Sequence, residues 1–142
     1  VTFRLLPQLE LARKWGFTIK GEETLLSKIS SFLDQHDPKP SLVHGDLWKG
    51  NTGVDQDGRG VIFDPACWWA DREVDLAMTK LFGGFSNDFY EAYQSIWPMP
   101  IEWERRIDIY NLYHMINHGN IFGGSYQQQC FEYIERIRLQ LT

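Results

Sequence analysis

No basic run occurs anywhere in the chain, and the formal net charge is −5. Both facts argue against a nucleic-acid groove, which needs clustered Lys and Arg. A polyanion could bind only with positive charge from metal ions or from another domain. Cysteine is scarce: Cys67 and Cys130 are the only two, and they form no CxxC pair. That argues against a disulfide framework and leaves reduced thiols in a cytoplasmic protein as the expected state. No apolar run approaches the roughly 20 residues of a membrane span. The first residues lack the charged-then-apolar profile of a signal peptide. They begin in mid-pattern, as a fragment of something longer would. Internal repeats and low-complexity segments are also missing. What remains is 142 residues, 43% hydrophobic and 15% aromatic, enough for one domain with a packed core.

Periodicity predicts a helix over residues 3–15, with Leu5, Leu9 and Ala12 on one face and Gly16 as its stop. Pro7 fits the first turn, where a missing N–H costs little. A second helix is expected over 22–36, its apolar face made by Leu25, Leu26, Ile29, Phe32 and Leu33. Asp37-Pro38-Lys39-Pro40 ends it as a stiff connector. A short strand at Leu42-Val43 follows. Pro65 to Arg72 reads as a loop, and Glu73 to Phe82 as a helix stopped by Gly83-Gly84. Ser86 caps a helix running to Trp97. Residues 101–118 form a long helix whose apolar residues occupy more than one face, so it should be largely buried. After a Gly123-Gly124 turn, Ser125 caps a last amphipathic helix.

Polar chemistry concentrates in LVHGDLWKGNTGVDQDGRGVIFD, residues 42–64. Asp57-Gly58 is a strong turn signal between two β-prone segments. If 51–55 pairs antiparallel with 60–64, Asn51 lies opposite Asp64. Directly opposed residues have Cβ atoms roughly 5 Å apart. An amide oxygen and a carboxylate at that spacing suit a hard cation such as Mg²⁺. Asp46 lies in the loop leading into this hairpin. The fold class expected is therefore α+β, mainly α-helical, with a small β-hairpin carrying the acidic site.

His44-Gly45-Asp46, then Asn51 after four intervening residues, then Asp64 resembles the catalytic core of protein-kinase-like phosphotransferases. Protein kinases carry Arg where Gly45 stands and D-F-G where Asp64-Pro65-Ala66 stands. Those departures resemble the aminoglycoside-phosphotransferase-like branch. HGDLWKGN, VIFDPA, FGGFSNDFY and the opening RLLPQLELA together resemble the fructosamine kinase (ketosamine-3-kinase) family, from about Arg4 to the final helix. The resemblance implies ATP as donor, Mg²⁺ as cofactor and the 3-hydroxyl of a ketosamine (a fructosamine or ribulosamine on a small amine or a protein) as acceptor. It implies Asp46 as base, Asn51 and Asp64 as metal ligands, and Trp48 and Trp68 as walls of the sugar site. His44 and Asp75 would support the catalytic loop, Asp75 by bonding to its backbone N–H groups. Lys49 takes no phosphate role, because it lies three residues after Asp46 rather than two.

Other readings compete. Asp46 alone could be a loop-stabilising Asx residue, and Asn51 and Asp64 could merely cap a hairpin. His114 and His118, at i and i+4, could face a metal, although no carboxylate completes a zinc motif. The acceptor could be aminoglycoside- or choline-like. The chain could also be a non-catalytic kinase-like binding domain or a metal-dependent hydrolase.

A kinase of this kind also needs a glycine-rich loop over the nucleotide and a Lys paired with a helix Glu. Neither precedes residue 42. Residues 1–142 are then expected to be the C-terminal lobe, with the N-terminal nucleotide-binding lobe absent. The chain by itself should show little or no kinase activity. An ATP-turnover assay with a fructosamine checks this, and ordinary kinase rates from these 142 residues would overturn it.

Overall fold

The computed structural model describes Val1 and residues 3–142. The elements in order are α1 (Leu5–Ala12), α2 (Glu22–Asp34), β1 (Ser41–Val43), β2 (Thr52–Val54), β3 (Gly60–Ile62), β4 (Trp68–Ala70), α3 (Glu73–Thr79), α4 (Asn87–Ile96), α5 (Trp103–Phe122) and α6 (Ser125–Gln140). The chain divides into two compact units, Pro38–Ile107 and the pair of segments Val1–Asp37 and Asp108–Thr142.

The discontinuous unit is helical. Leu5, Leu9 and Ala12 of α1 are buried, as are Leu25, Ile29 and Phe32 of α2. These are residues that the 3.6-residue period selects. A 3₁₀ turn, Arg13–Trp15, follows α1, and Gly16 ends it at φ 90°. From α5, Ile109, Leu112, Met115 and Ile116 are buried, and from α6, Cys130, Tyr133, Ile134 and Ile137. The α5 helix runs past the expected end at His118, because Gly119 is a packing position and not a stop. A Cβ there would lie 3.2 Å from the Cys130 sulfur and 3.4 Å from the Trp15 ring. The stop is Gly123-Gly124, at φ 65° and 58°. Gly124, not Ser125, is the cap of α6, and Ser125 is its first helical residue. Burial pushes the Cys130 thiol up to about 11, so it is a packing group and not a nucleophile. Asn120 ties α1 to α5: its amide donates to the Gln8 carbonyl (3.0 Å) and Gln8 Oε1 (2.8 Å), and its Oδ1 accepts from the Trp15 indole N–H (2.7 Å).

The continuous unit holds both two-stranded sheets. In one, β1 pairs antiparallel with β4, with Ser41, Leu42 and Val43 opposite Ala70, Trp69 and Trp68. Residues 68–70 therefore form a strand inside the stretch expected to be a loop. Its partner is far away in sequence, and a three-residue strand carries too little alternation to announce itself. In the other sheet, Thr52, Gly53 and Val54 face Ile62, Val61 and Gly60. This register is one residue short of the expected one. The Phe63 N–H donates to the Asn51 carbonyl (3.1 Å), so Phe63 and not Asp64 continues the ladder opposite Asn51. The turn sets the shift. Asp55 Oδ1 accepts from the backbone N–H groups of Asp57 (2.9 Å) and Arg59 (2.8 Å), so the hairpin closes on Asp55 and Arg59.

Helix α3 is shorter than expected and ends at Thr79. Phe82, Gly83 and Gly84 all follow at positive φ. Within this unit the Arg106 guanidinium grips Glu73 bidentately at 2.6 and 2.7 Å, the two side chains being 4% and 2% exposed. A buried carboxylate stripped of its cation costs roughly 3–5 kcal/mol, whereas replacing both partners by apolar groups is often neutral. Arg106→Met should therefore lower unfolding stability by about 3–5 kcal/mol, and Glu73→Leu with Arg106→Met should recover most of it. Urea denaturation of the three proteins checks both.

Candidate active site

The polar cluster is built on the end of β1. Val43 is buried, and the chain then leaves the strand through His44 and Gly45. Their two consecutive N–H groups have no ladder partner at this turn. Asp75, in the first turn of α3, supplies it: the His44 N–H donates to Oδ2 at 2.6 Å and the Gly45 N–H to Oδ1 at 2.9 Å. Hydrogen bonds to an ionised carboxylate are among the stronger ones in proteins, so this clasp fixes where the loop starts.

Gly45 is required at its position. Its φ is 81°, and a Cβ would stand 2.2 Å from the Ala66 carbonyl oxygen. The absence of a side chain lets the loop lie against residues 64–66, where the Ala66 N–H donates to the His44 carbonyl at 2.8 Å. The His44 ring makes a second tie. The Asp46 N–H donates to Nδ1 (3.3 Å), so Nδ1 is the acceptor and Nε2 carries the proton. That Nε2–H then donates to the Phe63 carbonyl at 2.9 Å. His44 thus joins the Asp46 loop to the segment that presents Asp64, in a tautomer unsuited to act as a base at Nε2.

Asp46 and Asn51 are brought together. A 3₁₀ turn over Lys49–Asn51 swings the Asn51 side chain back, and its Nδ2 donates to both the Asp46 carbonyl and Asp46 Oδ2 at 2.9 Å. With the amide nitrogen committed to Asp46, Asn51 Oδ1 and Asp46 Oδ1 are the oxygens left without a hydrogen bond among the described residues. Asp64 is not placed opposite Asn51 by the ladder. It follows Phe63 as an exposed residue at φ 55°, a left-handed conformation that breaks the strand and that Asp tolerates better than most residues. Its carboxylate has no hydrogen bond or ion pair among the described residues. Asn51 Oδ1 and the Asp64 carboxylate are an all-oxygen donor set, which fits Mg²⁺ in chemistry.

Trp48 folds back over Gly50, where a Cβ would meet its ring at 2.2 Å, and stacks edge-on against Phe82 at 6.0 Å. Sequence reasoning missed Phe82. It stands at the head of the FGGFSNDFY stretch, in the Phe82-Gly83-Gly84 run that follows α3. Trp68 is half-buried on β4, with Cδ1 beside Gly45. Trp69 is exposed opposite Leu42. His118 does not join His114 in facing a metal. Its Nδ1 is bonded to the His114 carbonyl at 2.7 Å, and its ring lies against Phe122 and Tyr126.

A helical body with this loop, this hairpin and this carboxylate clasp is the C-terminal lobe of a protein-kinase-like fold. Residues 1–140 match the fructosamine kinase family. The chain belongs to that family. A "Probable ketoamine kinase" of Vibrio parahaemolyticus is 46% identical over 130 residues, which cover 92% of this chain and 45% of that protein. Another of that description, from Escherichia coli K12, is 40% identical over the same shares. A "Putative fructosamine-3-kinase" structure from Haemophilus somnus superposes with a TM-score of 0.82 at 31% identity, over 94% of this chain and 46% of its own. One of the same description from Thermobifida fusca gives 0.79 at 34% identity, over 96% and 48%. The chain thus spans about half the length of these relatives.

Two glycines with similar φ separate backbone strain from collision. Gly58, at φ 79°, has nothing within 4 Å of a Cβ, whereas Gly45 meets a carbonyl oxygen. Gly58→Ala should cost about 1–2 kcal/mol, the penalty of a left-handed L-residue. Gly45→Ala should cost a further 1–3 kcal/mol or so from overpacking. Equal losses in chemical denaturation would show that the Gly45–Ala66 approach is not a constraint.

Proposed function

We propose that this chain is the acceptor- and metal-bearing lobe of an ATP-dependent ketosamine kinase, which phosphorylates the 3-hydroxyl of a fructosamine or ribulosamine carried on a small amine or a protein. The observation that carries the reading is the Asp46–Asn51 pair. The carboxylate is oriented through one oxygen by an amide whose own oxygen stays free. Asp46 accepts the proton of the attacking hydroxyl through its remaining oxygen. Asn51 and Asp64 hold Mg²⁺, which when bound neutralises charge on the nucleotide phosphates. Trp48 and Trp68 wall the sugar, while His44 and Asp75 hold the loop in place. Phosphoryl transfer needs positioning and charge neutralisation more than covalent chemistry, so these side chains suffice for this half of the site.

The other half belongs to an N-terminal lobe that grips the nucleotide. Two features support this. The chain matches about half of each relative. Both small sheets also leave apolar side chains open to solvent: Leu42 and its cross-strand partner Trp69 are 62% and 69% exposed, and Val54 and Ile62 on one face of the hairpin are 72% and 63% exposed. Apolar surface of that kind is what a covering domain buries. Among the described residues no helix is long and apolar enough to cross a membrane.

The test is ATP consumption by the longer protein with a fructosamine, against aminoglycoside and choline acceptors. Asp46→Asn should lower kcat by about 10²–10⁴-fold, the usual worth of a positioned general base. Asn51→Ala should raise the Mg²⁺ concentration needed for half-maximal rate. A fully active Asp46→Asn protein, or a preference for choline, would overturn the assignment.

A further inference from the structure

Helix α3 leads into a tight turn whose chemistry does not match its sequence. The Gly84 N–H donates to the Leu81 carbonyl at 3.2 Å, and the two central residues, Phe82 and Gly83, have φ 52° and 98°. Positive φ at both central positions is the pattern of a primed turn, which favours Asn, Asp or Gly there. Gly83 meets that preference and Phe82 does not. A bulky L-residue in the left-handed region is strained, and such strain clusters at functional sites. The Phe82 ring is not buried in the core. It is exposed and set edge-on against Trp48, with 6.0 Å between ring centroids.

A missing side chain also places Trp48. A Cβ on Gly50 would stand 2.2 Å from Cη2, 2.3 Å from Cζ2 and 2.7 Å from Cζ3 of the indole. The backbone at Gly50 lies outside the left-handed region, so its conformation does not call for glycine. What calls for glycine is the indole lying against it. The Trp48 backbone is held as well: its N–H donates to the Asp46 carbonyl at 3.1 Å, and its carbonyl accepts from the Asn51 N–H at 2.9 Å. The indole therefore springs from the same loop as the Asp46 carboxylate.

We propose that Gly50 and Phe82 are positioning residues for the acceptor sugar, acting by holding the Trp48 indole in one orientation. The inference rests on the reading of Trp48 as a wall of the sugar site. A sugar ring packs its C–H face on an aromatic surface, and a wall already in place binds without the cost of ordering a side chain. Gly50 supplies the space that the indole occupies. Phe82 supplies an edge contact, which stabilises a ring pair beyond its buried area. Asn or Gly would suit the turn better, but neither can make that contact.

The experiment measures KM for fructosylglycine and for ATP on the longer protein, with Trp48→Ala as the reference. Gly50→Ala and Phe82→Asn should each raise the acceptor KM about three- to tenfold, the contribution of one aromatic pair, and leave the ATP KM unchanged. Phe82→Tyr keeps the ring and should keep the wild-type acceptor KM. Gly50→Ala displaces a side chain and not the backbone, and Asn suits the turn, so both variants should unfold cooperatively near the wild-type midpoint. The Trp48 indole N–H resonance, assigned with Trp48→Phe, should move in Gly50→Ala. Trp48→Ala raising the acceptor KM while Gly50→Ala and Phe82→Asn do not would overturn the positioning role and leave the sugar-wall reading standing. An acceptor KM unchanged in Trp48→Ala would overturn that reading and this inference with it.

Discussion

One carboxylate fixes the geometry of the candidate active site. Asp75 accepts from two consecutive N–H groups, at His44 and Gly45, at the point where β1 has ended and no strand partner can serve them. Unpaired backbone donors at a half-buried turn are costly, so the pairing is close to obligatory for this loop conformation. With the loop start held, the positive φ of Gly45 turns the chain against residues 64–66, and the His44 ring meets the Phe63 carbonyl. Helix α3, the Asp46 loop and the segment that carries Asp64 are thereby one hydrogen-bonded assembly. None of its links depends on an exposed ion pair, so ionic strength should have little purchase on it.

The same assembly explains which parts of the structure were legible beforehand. Helical periodicity marked the buried positions of α1, α2 and α6, because each helix buries a single stripe. Asp46 and Asn51 were legible because their contact is local, five residues apart in one loop. The hairpin existed where Asp57-Gly58 signalled it, but its register did not follow from the turn dipeptide. The Asp55 side chain bonds to two backbone donors and closes the turn on residue 59, which moves every pair by one. The expected Asn51–Asp64 opposition fell with that shift. Strand β4 was invisible because its partner β1 lies far upstream. Helix α5 runs on past its expected end at residue 118, where Gly119 serves by its lack of a side chain.

Charge placement follows a consistent logic within the continuous unit. The interior ion pair, Glu73–Arg106, is bidentate and closed to solvent. The carboxylates that line or approach open space, Asp64, Glu91 and Glu104, have no cation of their own among the described residues. Asp88, exposed in the first turn of α4, is unpaired as well, so the buried carboxylate of this unit has its cation while several solvated ones do without. A chain with an excess of acidic groups can carry such open positions, since any mutual repulsion among exposed carboxylates is screened by salt within about 10 Å.

The orientation of the Asn51 amide makes the final link between structure and chemistry. An amide has distinct donor and acceptor ends, and here the donor end is used twice on Asp46. Had the oxygen faced Asp46 instead, two acceptors would meet and the contact would be repulsive. The arrangement is therefore self-sorting: binding Asp46 through nitrogen forces the oxygen outward. That makes Asp46→Asn an informative substitution. The new amide can still offer its oxygen to Asn51 Nδ2, so the loop keeps its acceptor while the negative charge is lost. Removing Asn51 instead deletes the orienting donor and the outward oxygen together. Effects shared by both substitutions report loop geometry, and effects peculiar to Asp46→Asn report the carboxylate charge itself.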